Sequence, residues 1–191
     1  MSDVDTRLAL RAQRGDAQAL ASLYEAHRRC LYGYLVAQFG HEAAGDVFQE
    51  AWTKVLEKID SFDPAGGTFR AWLFRVASNA GIDRARREAV RRGPELDAAA
   101  TEDGARRIDL VPAEDPGPER EGVSRQLGRD ISTALQRLPE NQRAAVLLRH
   151  QQGYSFREIA TALGMREVSA RTAVHRGLKR LREELGEWSD A

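Results

Sequence analysis

The segment YSFREIATALGMREVSARTAVHRGLKRL, residues 154–181, predicts two short helices separated by a turn. Ser155 is followed three residues later by Glu158, which is the spacing of a capping box at a helix N-terminus. Apolar residues then recur at helical spacing, namely Phe156, Ile159, Ala160 and Leu163. Gly164 is placed to end this first helix. A short capped helix followed by a turn and a second helix predicts a helix-turn-helix.

The second helix of this segment is apolar on one side and basic on the other. Its apolar stripe is Ala170, Val174, Leu178 and Leu181. Residues 166–182 contain six Lys or Arg and one acid, a local charge of +5. The opposite face carries Arg171, Thr172, His175, Arg176, Lys179 and Arg180. Such a helix suits the major groove of DNA. The alternative is an amphipathic pair with a solvated basic face, but cap, glycine, stripe and charge agree in register and favour the helix-turn-helix.

Charge is segregated along the chain, although 29 basic and 29 acidic residues cancel over its 191 residues. Residues 84–92 hold five Arg and one Glu, whereas residues 95–121 hold nine acids and three Arg. Basic surfaces therefore alternate with an acidic stretch, and the net charge by itself indicates no partner.

Several classes of protein are disfavoured. Cys30 is the single cysteine, so no disulfide scaffold is expected and a cytoplasmic location is the default. The four histidines have no Cys or carboxylate neighbours at metal-ligand spacing, so we expect no metal site. The sequence has no secretory signal pattern, no apolar run that could span a bilayer, and no motif typical of a catalytic or cofactor site. We therefore expect no enzymatic activity, no cofactor and no membrane insertion.

The periodicity of the chain predicts an all-α protein with two small helical domains joined by a flexible acidic linker. The first domain spans 1–92, with helices over about 5–14, 16–39, 42–58 and from 69 onward, capped by Asp16 and Thr68. The loop IDSFDPAGG, residues 59–67, precedes the last of these helices. Residues 93–126 contain four prolines among acids and alanines, which is typical of a linker. The second domain spans 127–191 and contains the helix-turn-helix.

The fourth predicted helix begins FRAWLFRVASNAGIDRARRE, residues 69–88, and mixes aromatic, basic and amide side chains. Arginines can hold phosphates, aromatic rings can stack on unpaired bases, and an asparagine can contact a base edge. The residues in question are Phe69, Arg70, Trp72, Phe74, Arg75, Asn79, Asp83, Arg84, Arg86 and Arg87. The alternative is that Phe69 and Trp72 belong to the core, which their spacing with Leu73 and Val76 favours for most of each ring. Periodicity alone leaves both interpretations open.

Two long segments carry a family resemblance. GDVFQEAWTKVLEKIDSFDPAGGTFRAWLFRVASNAGIDRARRE, residues 45–88, resembles region 2 of the extracytoplasmic-function (ECF) sigma factors. LQRLPENQRAAVLLRHQQGYSFREIATALGMREVSARTAVHRGLKRLREEL, residues 135–185, resembles their region 4. The two segments occur in the family's order. The resemblance implies a non-enzymatic, dissociable initiation subunit of bacterial RNA polymerase, with core polymerase, promoter DNA and an anti-sigma factor as its partners.

The resemblance also implies roles for individual residues. The positions matching the polymerase-binding helix are Asp46, Val47, Gln49, Glu50 and Trp52. Loop 61–67, which contains Phe62, matches the loop that takes a flipped base of the −10 element. The positions matching the helix that engages and opens the −10 region are Phe69, Arg70, Trp72, Arg75, Asn79, Asp83, Arg86 and Arg87. Those matching the −35 reading helix are Arg171, Thr172, His175, Arg176 and Lys179.

The resemblance is incomplete at the turn and at the start of the reading helix, where this chain has MREVSARTAVHR. Ala173 stands where the family commonly has an arginine, so the −35 preference of relatives does not transfer directly. A stand-alone helix-turn-helix repressor or activator is the main alternative, and it predicts a dimer on a palindromic operator. It leaves the aromatic and arginine-rich helix unexplained. A helical protein that binds polymerase without reading DNA is a third possibility.

Overall fold

The computed structural model describes residues 2–92, 128 and 130–189, and all the regular structure in these ranges is helical. The all-α prediction is therefore confirmed. The predicted linker, 93–126, lies outside the described residues. The helices are α1 (Ser2–Ala12), α2 (Ala17–Phe39), α3 (His41–Lys58), α4 (Phe69–Arg92), α5 (130–137), α6 (Glu140–His150), α7 (Phe156–Leu163) and α8 (Glu167–Ser189).

Two predicted helix starts in the first domain, those capped by Asp16 and Thr68, are confirmed at the level of hydrogen bonds. The Asp16 carboxylate accepts from the backbone N–H of Ala19 at 3.0 Å, and the Thr68 hydroxyl accepts from Ala71 N–H at 3.2 Å. These side chains satisfy backbone donors that have no partner inside the helix. Helix α1 begins and ends earlier than the predicted 5–14. Loop 59–67 contains two short 3-10 turns, Ile59–Ser61 and Pro64–Gly66.

The core of the first domain lies where α2, α3 and α4 meet. Its most buried large side chains include Leu31, Tyr34, Leu35, Val47, Val55, Leu73 and Phe74. The buried Tyr34 hydroxyl is paired with Ser78 Oγ of α4 at 2.9 Å. Gly81 of α4 lies against Phe39 of α2, and a Cβ atom at position 81 would come within 2.2 Å of the Phe39 ring. Glycine at this position therefore fixes how closely α4 approaches α2.

A similar close approach positions α8. Gly177 is buried against α6, where a Cβ atom would lie 2.6 Å from Val146 Cγ2. Helices α6, α7 and α8 contact one another around Leu148, Ile159 and Val174. The tight α6–α8 contact means that the exposed face of α8 is set by packing on its other side.

The described parts of the two predicted domains contact each other directly. Helix α4 packs against α7, and α2 packs against α6. Gln38 Nε2 donates to the backbone carbonyl of Glu140 at 3.2 Å, and Gln136 Nε2 donates to that of Ala37 at 2.9 Å. The buried apolar residues of both domains form one continuous cluster. The sequence did not predict this contact.

Candidate nucleic-acid and polymerase interfaces

The first helix of the helix-turn-helix, α7, begins with the predicted hydrogen bonds. The Ser155 hydroxyl accepts from the backbone N–H of Glu158 at 3.2 Å, and the Glu158 carboxylate accepts from that of Ser155 at 2.9 Å. Gly164 ends α7 in the left-handed conformation, with φ of 62°, which favours glycine. Helix α8 then begins at Glu167. The local sequence thus fixes both the start and the end of the short helix that supports α8.

Helix α8 exposes all five residues predicted to read the −35 element. They are Arg171, Thr172, His175, Arg176 and Lys179. Its opposite side is buried at Ala170 and Val174, against α6 and α7. This geometry allows the exposed side of α8 to enter a major groove while the buried side remains attached to the domain.

Arg171 is already held by neighbouring side chains. Its guanidinium carbon lies 4.8 Å from the centre of the Phe156 ring, and Nη2 lies 3.8 Å from the Glu167 carboxylate. The aromatic ring attracts the cation and draws Arg171 toward α7. Ala173, at the position where the resemblance favours an arginine, is half-buried and has no charge to offer.

Three aromatic residues predicted to bind the −10 element are packed together. Phe69 is fully buried, while Trp72 and Phe62 are 6% and 4% exposed. The Phe62 ring centre lies 5.6 Å from that of Phe69 and 5.9 Å from that of Trp72. Phe62 therefore anchors loop 59–67 to α4. Stacking of an unpaired base on any of these rings would require the present contacts to open.

Arg70, also predicted to bind the −10 element, faces the second domain. Its Nη2 donates to Gln152 Oε1 at 2.8 Å, and its guanidinium carbon lies 4.8 Å from the centre of the Tyr154 ring. Tyr154 also packs edge-on against Phe74, with ring centres 5.6 Å apart. The first turns of α4 are therefore covered by the segment that leads into α7.

The rest of α4 has a different exposure. Arg75, Asn79, Asp83 and Arg86 are all exposed and follow one another at spacings of four, four and three residues. This spacing places them along one side of the helix. The predicted −10 residues thus divide into a covered group near Phe69, this exposed stripe, and Arg87, whose guanidinium donates to Glu50 of α3.

Carboxylates predicted to bind polymerase are paired with arginines of α4. Asp46 lies 2.9 Å from Arg84, and Glu50 accepts two hydrogen bonds from Arg87, at 2.7 and 2.9 Å. Lys54 joins the network at 3.1 Å from Glu50. Burial raises the pKa of Glu50, but the hydrogen bonds from Arg87 and Lys54 outweigh it and leave that pKa below its usual value. Glu50 is therefore ionised at neutral pH and held by α4.

The predicted polymerase-binding residues do not all reach the surface. Val47 is fully buried and Trp52 is 8% exposed, whereas Asp46 and Gln49 are exposed and Glu50 is half-buried. Val47 and Trp52 therefore pack in the core and hold α3 in place. The exposed surface of α3 is formed by the other predicted residues. This division follows from helical spacing, because Val47 belongs to the apolar stripe of α3 that includes Val55.

A shallow groove between α2 and α3 lies beside Gln49. It is lined by Tyr24, Arg28, Arg29, Tyr32, Gly45, Phe48 and Gln49. Tyr24 and Tyr32 are 37% and 41% exposed. Sequence reasoning missed this aromatic and basic groove. The recurrence of Tyr24, Arg28 and Tyr32 at intervals of four was the available signal.

A buried histidine–aspartate contact lies beneath the start of α4. His27 Nε2 lies 3.1 Å from Asp5 Oδ2, and the His27 ring contacts Phe69, with ring centres 5.8 Å apart. Burial lowers the pKa of His27 and the positive charge of Arg70 lowers it further, although Asp5 acts in the opposite direction. The neutral imidazole is therefore the form that the folded chain favours near neutral pH.

Two further findings concern the described residues alone. Within 2–92 and 130–189, no group of three His, Cys, Asp or Glu side chains is arranged to hold a metal ion. No helix in the same ranges is long and apolar enough to cross a membrane.

Comparison with known proteins identifies the family. Residues 23–91 match Sigma-70 region 2, and residues 128–181 match Sigma-70 region 4. The ECF RNA polymerase sigma factor SigE of Mycolicibacterium smegmatis is 36% identical over 98% of this chain and 71% of that protein. This chain belongs to the ECF sigma factor family. SigW of Bacillus subtilis, another ECF sigma factor, is 31% identical over 91% of this chain and 92% of its own length.

A solved structure supports the sigma-factor fold. The sigma factor RpoE of Bartonella quintana, in complex with its anti-sigma factor NepR, superposes with a TM-score of 0.69 at 24% identity. The superposition covers 87% of this chain and 96% of that one. The two chains therefore share their arrangement of helices.

Proposed function

We propose that this chain is a sigma subunit that joins core RNA polymerase in the cytoplasm and directs transcription from promoters with −10 and −35 elements. The observation that carries the proposal is the exposed basic side of α8, which follows the capped helix α7. It is found in a chain that belongs to the ECF sigma factors. It acts by binding and positioning DNA, and the phosphodiester chemistry belongs to the polymerase.

Polymerase binding is assigned to α3 and the neighbouring groove. Asp46, Gln49 and Glu50 supply polar and charged groups, and the groove beside Gln49 adds partly exposed aromatic rings. Aromatic and arginine side chains are enriched in the energetically important parts of protein interfaces. This part of the proposal therefore combines an acidic edge with an aromatic groove.

Recognition of the −35 element is assigned to α8. Arg171, Thr172, His175, Arg176 and Lys179 project from the side opposite its buried face. Arginine can contact guanine through two hydrogen bonds, and lysine can hold phosphate without regard to sequence.

Engagement of the −10 element is assigned to α4 and loop 61–67. The exposed stripe of Arg75, Asn79, Asp83 and Arg86 offers cations for phosphates and an amide for a base edge. Arg70 joins this surface only if its contacts with Gln152 and Tyr154 separate. Phe69 and Trp72 join it only if their packing against Phe62 also opens. We therefore infer that the two domains move apart when −10 DNA is bound.

An anti-sigma factor is proposed as a further partner. The RpoE structure contains NepR, and the present chain has the same fold. A protein that holds the two domains together would keep the first turns of α4 covered.

Transcription in vitro tests the proposal directly. Core polymerase with this chain should give run-off transcripts from part of a genomic fragment library, and permanganate should detect unpaired thymines near −10. Core polymerase alone and the chain alone are the controls, and neither should open these promoters. Failure to open any fragment that the complex binds would contradict the sigma-factor assignment.

The repressor alternative is not favoured. A repressor would need only the helix-turn-helix, whereas residues 23–91 match Sigma-70 region 2. It predicts binding to a palindromic site in the absence of polymerase, which a gel-shift experiment without core enzyme would detect.

A further inference from the structure

The exposed edge of α8 begins with an apolar side chain. Val168, Thr172, His175 and Lys179 follow one another at spacings of four, three and four residues, so they form a single stripe opposite the buried Ala170 and Val174. We name these four residues the α8 edge. Val168 is 75% exposed, and it lies in the first turn of a helix whose N-terminal residues approach base edges when such a helix enters the groove.

The N-terminal end of the α8 edge offers methyl groups and few hydrogen-bond donors. The Thr172 hydroxyl donates to the backbone carbonyl of Val168 at 2.9 Å, so its proton is already used within the helix. The methyl group of Thr172 takes no part in this hydrogen bond and can make an apolar contact. Arg171 is drawn aside by Phe156 and Glu167. Within the α8 edge itself, the groups that remain at this end are the two methyls of Val168 and the one of Thr172.

We propose that Val168, supported by Thr172, is a specificity-determining residue that recognises the C5-methyl group of a thymine in the −35 element. Among the four bases, thymine alone carries a methyl group in the major groove, and apolar side chains are its usual partners. The contact would remove the Val168 methyls from water and would favour T·A over C·G at one position. This inference rests on the assignment of α8 to the −35 element.

The expected effect is modest and measurable. Burial of one methyl group is worth about 0.8 kcal/mol, which corresponds to about a fourfold change in affinity. Deoxyuridine differs from thymidine by this methyl group alone. Replacement of each −35 thymine by deoxyuridine, on either strand, therefore isolates the contact without altering hydrogen bonding.

The experiment uses the full chain assembled with core polymerase on a promoter obtained from the library transcription. Wild-type complex should lose about fourfold in affinity when one particular thymine becomes deoxyuridine. The Val168→Ala complex should bind the natural promoter about fourfold more weakly than wild type, and the deoxyuridine change at that position should cost it nothing further. Such non-additivity identifies two groups that act through one contact.

Val4→Ala is the matched control, because Val4 is 50% exposed on α1 and lies outside α8. It should retain the wild-type response to deoxyuridine. If Val168→Ala remains as sensitive as wild type at every thymine, or if wild type responds to none, the proposal is overturned. These outcomes differ from failure of the proposed function, in which wild-type complex would not transcribe from the promoter at all.

Discussion

Helices α4 and α8 are both rich in arginine and were both predicted to bind DNA, but the fold treats them differently. The predicted DNA-binding residues of α8 all face solvent. At the start of α4, Phe69 and Trp72 are buried, and Arg70 is hydrogen-bonded to Gln152. Similar composition thus leads to one surface that is ready for DNA and one that is partly covered.

The covering contact is of a kind that can open. Arg70 and Phe74 meet Tyr154 through a cation–π contact and an edge-on ring pair, and a side-chain hydrogen bond from Arg70 to Gln152 accompanies them. The buried Tyr154 hydroxyl has no hydrogen-bond partner among the described residues, which costs free energy in the closed arrangement. We therefore expect −35 contacts to require only that Arg171 leave Phe156 and Glu167. Full −10 contact additionally requires the cover over Arg70 to open.

The largest expected effect concerns the first domain alone. Asp46→Arg combined with Glu50→Arg should abolish association with core polymerase, because like charges at a complementary interface cost several kcal/mol. Ion pairs at the surface contribute only about 0–1 kcal/mol each. The double variant should therefore lose some stability, through the loss of the pairs with Arg84 and Arg87 and the new like charges beside them, and should stay folded. Equilibrium binding to core enzyme and circular dichroism measure the two properties.

A matched variant separates polymerase binding from the internal ion pairs. Adding Arg84→Glu and Arg87→Glu to the double variant restores opposite charges between α3 and α4. This fourfold variant should regain stability and still fail to bind polymerase. Wild-type affinity in the original double variant would mean that Asp46 and Glu50 do not contact the polymerase.

The next effect is expected from the glycines that position each helix. Gly81→Ala would place a methyl group against Phe39, and Gly177→Ala would place one against Val146. Overpacking of this kind costs about 1–3 kcal/mol. Gly81→Ala should impair −10 opening and leave −35 duplex binding largely intact, whereas Gly177→Ala should do the reverse.

Gly186→Ala is the control for the glycine variants. A Cβ atom at this exposed position of α8 meets nothing within 4 Å, so alanine should raise the free energy of unfolding, by about 0.5–1 kcal/mol. Equal loss of both DNA activities in Gly81→Ala and Gly177→Ala would mean that the two helices are not positioned independently.

Within α8, Arg171 and Lys179 should differ. Arg171→Ala should relax discrimination at one or two −35 positions by about 1–3 kcal/mol, the value of a lost bidentate base contact. Lys179→Ala should weaken binding to all sequences alike. It should also reduce the slope of the logarithm of the binding constant against the logarithm of the salt concentration by about one. Competition binding with single-position promoter variants at several salt concentrations measures both. Equal, sequence-independent losses would make Arg171 a phosphate contact as well.

The features that the sequence predicted are those that depend on residues close together in the chain. The features that it missed depend on residues far apart. The caps at Asp16, Thr68 and Ser155 join residues three positions apart, so helix rules were sufficient. The contact between Arg70 and Gln152 joins positions 82 residues apart, and the pair of Arg87 with Glu50 spans 37. Local rules carry no information on such pairs.

The candidate sites were also predictable only where they depend on neighbouring residues of one helix. Helical spacing distinguished the basic side of α8 from its buried side, because one helix contains both. In α4, the spacing of Phe69 and Trp72 with Leu73 and Val76 favoured the core, and these residues are buried. The cover over Arg70 comes from residues before and within α7, which are distant in sequence, so it was not predictable from periodicity.

A smaller effect tests the cover over α4. Gln152→Ala removes the hydrogen bond to Arg70, which is worth about 0.5–1.5 kcal/mol. The free chain should then bind single-stranded −10 oligonucleotide several-fold more tightly, with its −35 duplex affinity unchanged. Asn141→Ala, an exposed amide on α6, is the control and should change neither. Weaker oligonucleotide binding by Gln152→Ala would mean that the contact supports the −10 surface and does not cover it.

The smallest effect is a pH dependence that should arise beneath α4 and not beneath α8. The folded chain lowers the pKa of His27, so the unfolded chain binds more protons as the pH falls through about 6.5, the ordinary value for histidine. The contribution of His27 to stability is therefore fully present above that pH and is lost progressively below it. One proton changes the free energy of unfolding by at most about 1.4 kcal/mol per pH unit.

Urea unfolding at pH 7.5, 6.5 and 5.5 should show this decline in wild type and a smaller one in His27→Gln. His150→Gln, at an exposed position of α6, should keep the wild-type slope. In wild type at pH 5.5, amide hydrogen exchange should increase in α1, α2 and the start of α4 before it increases in α6 and α8. An identical decline in wild type and His27→Gln would exclude the pair of His27 with Asp5 as its source.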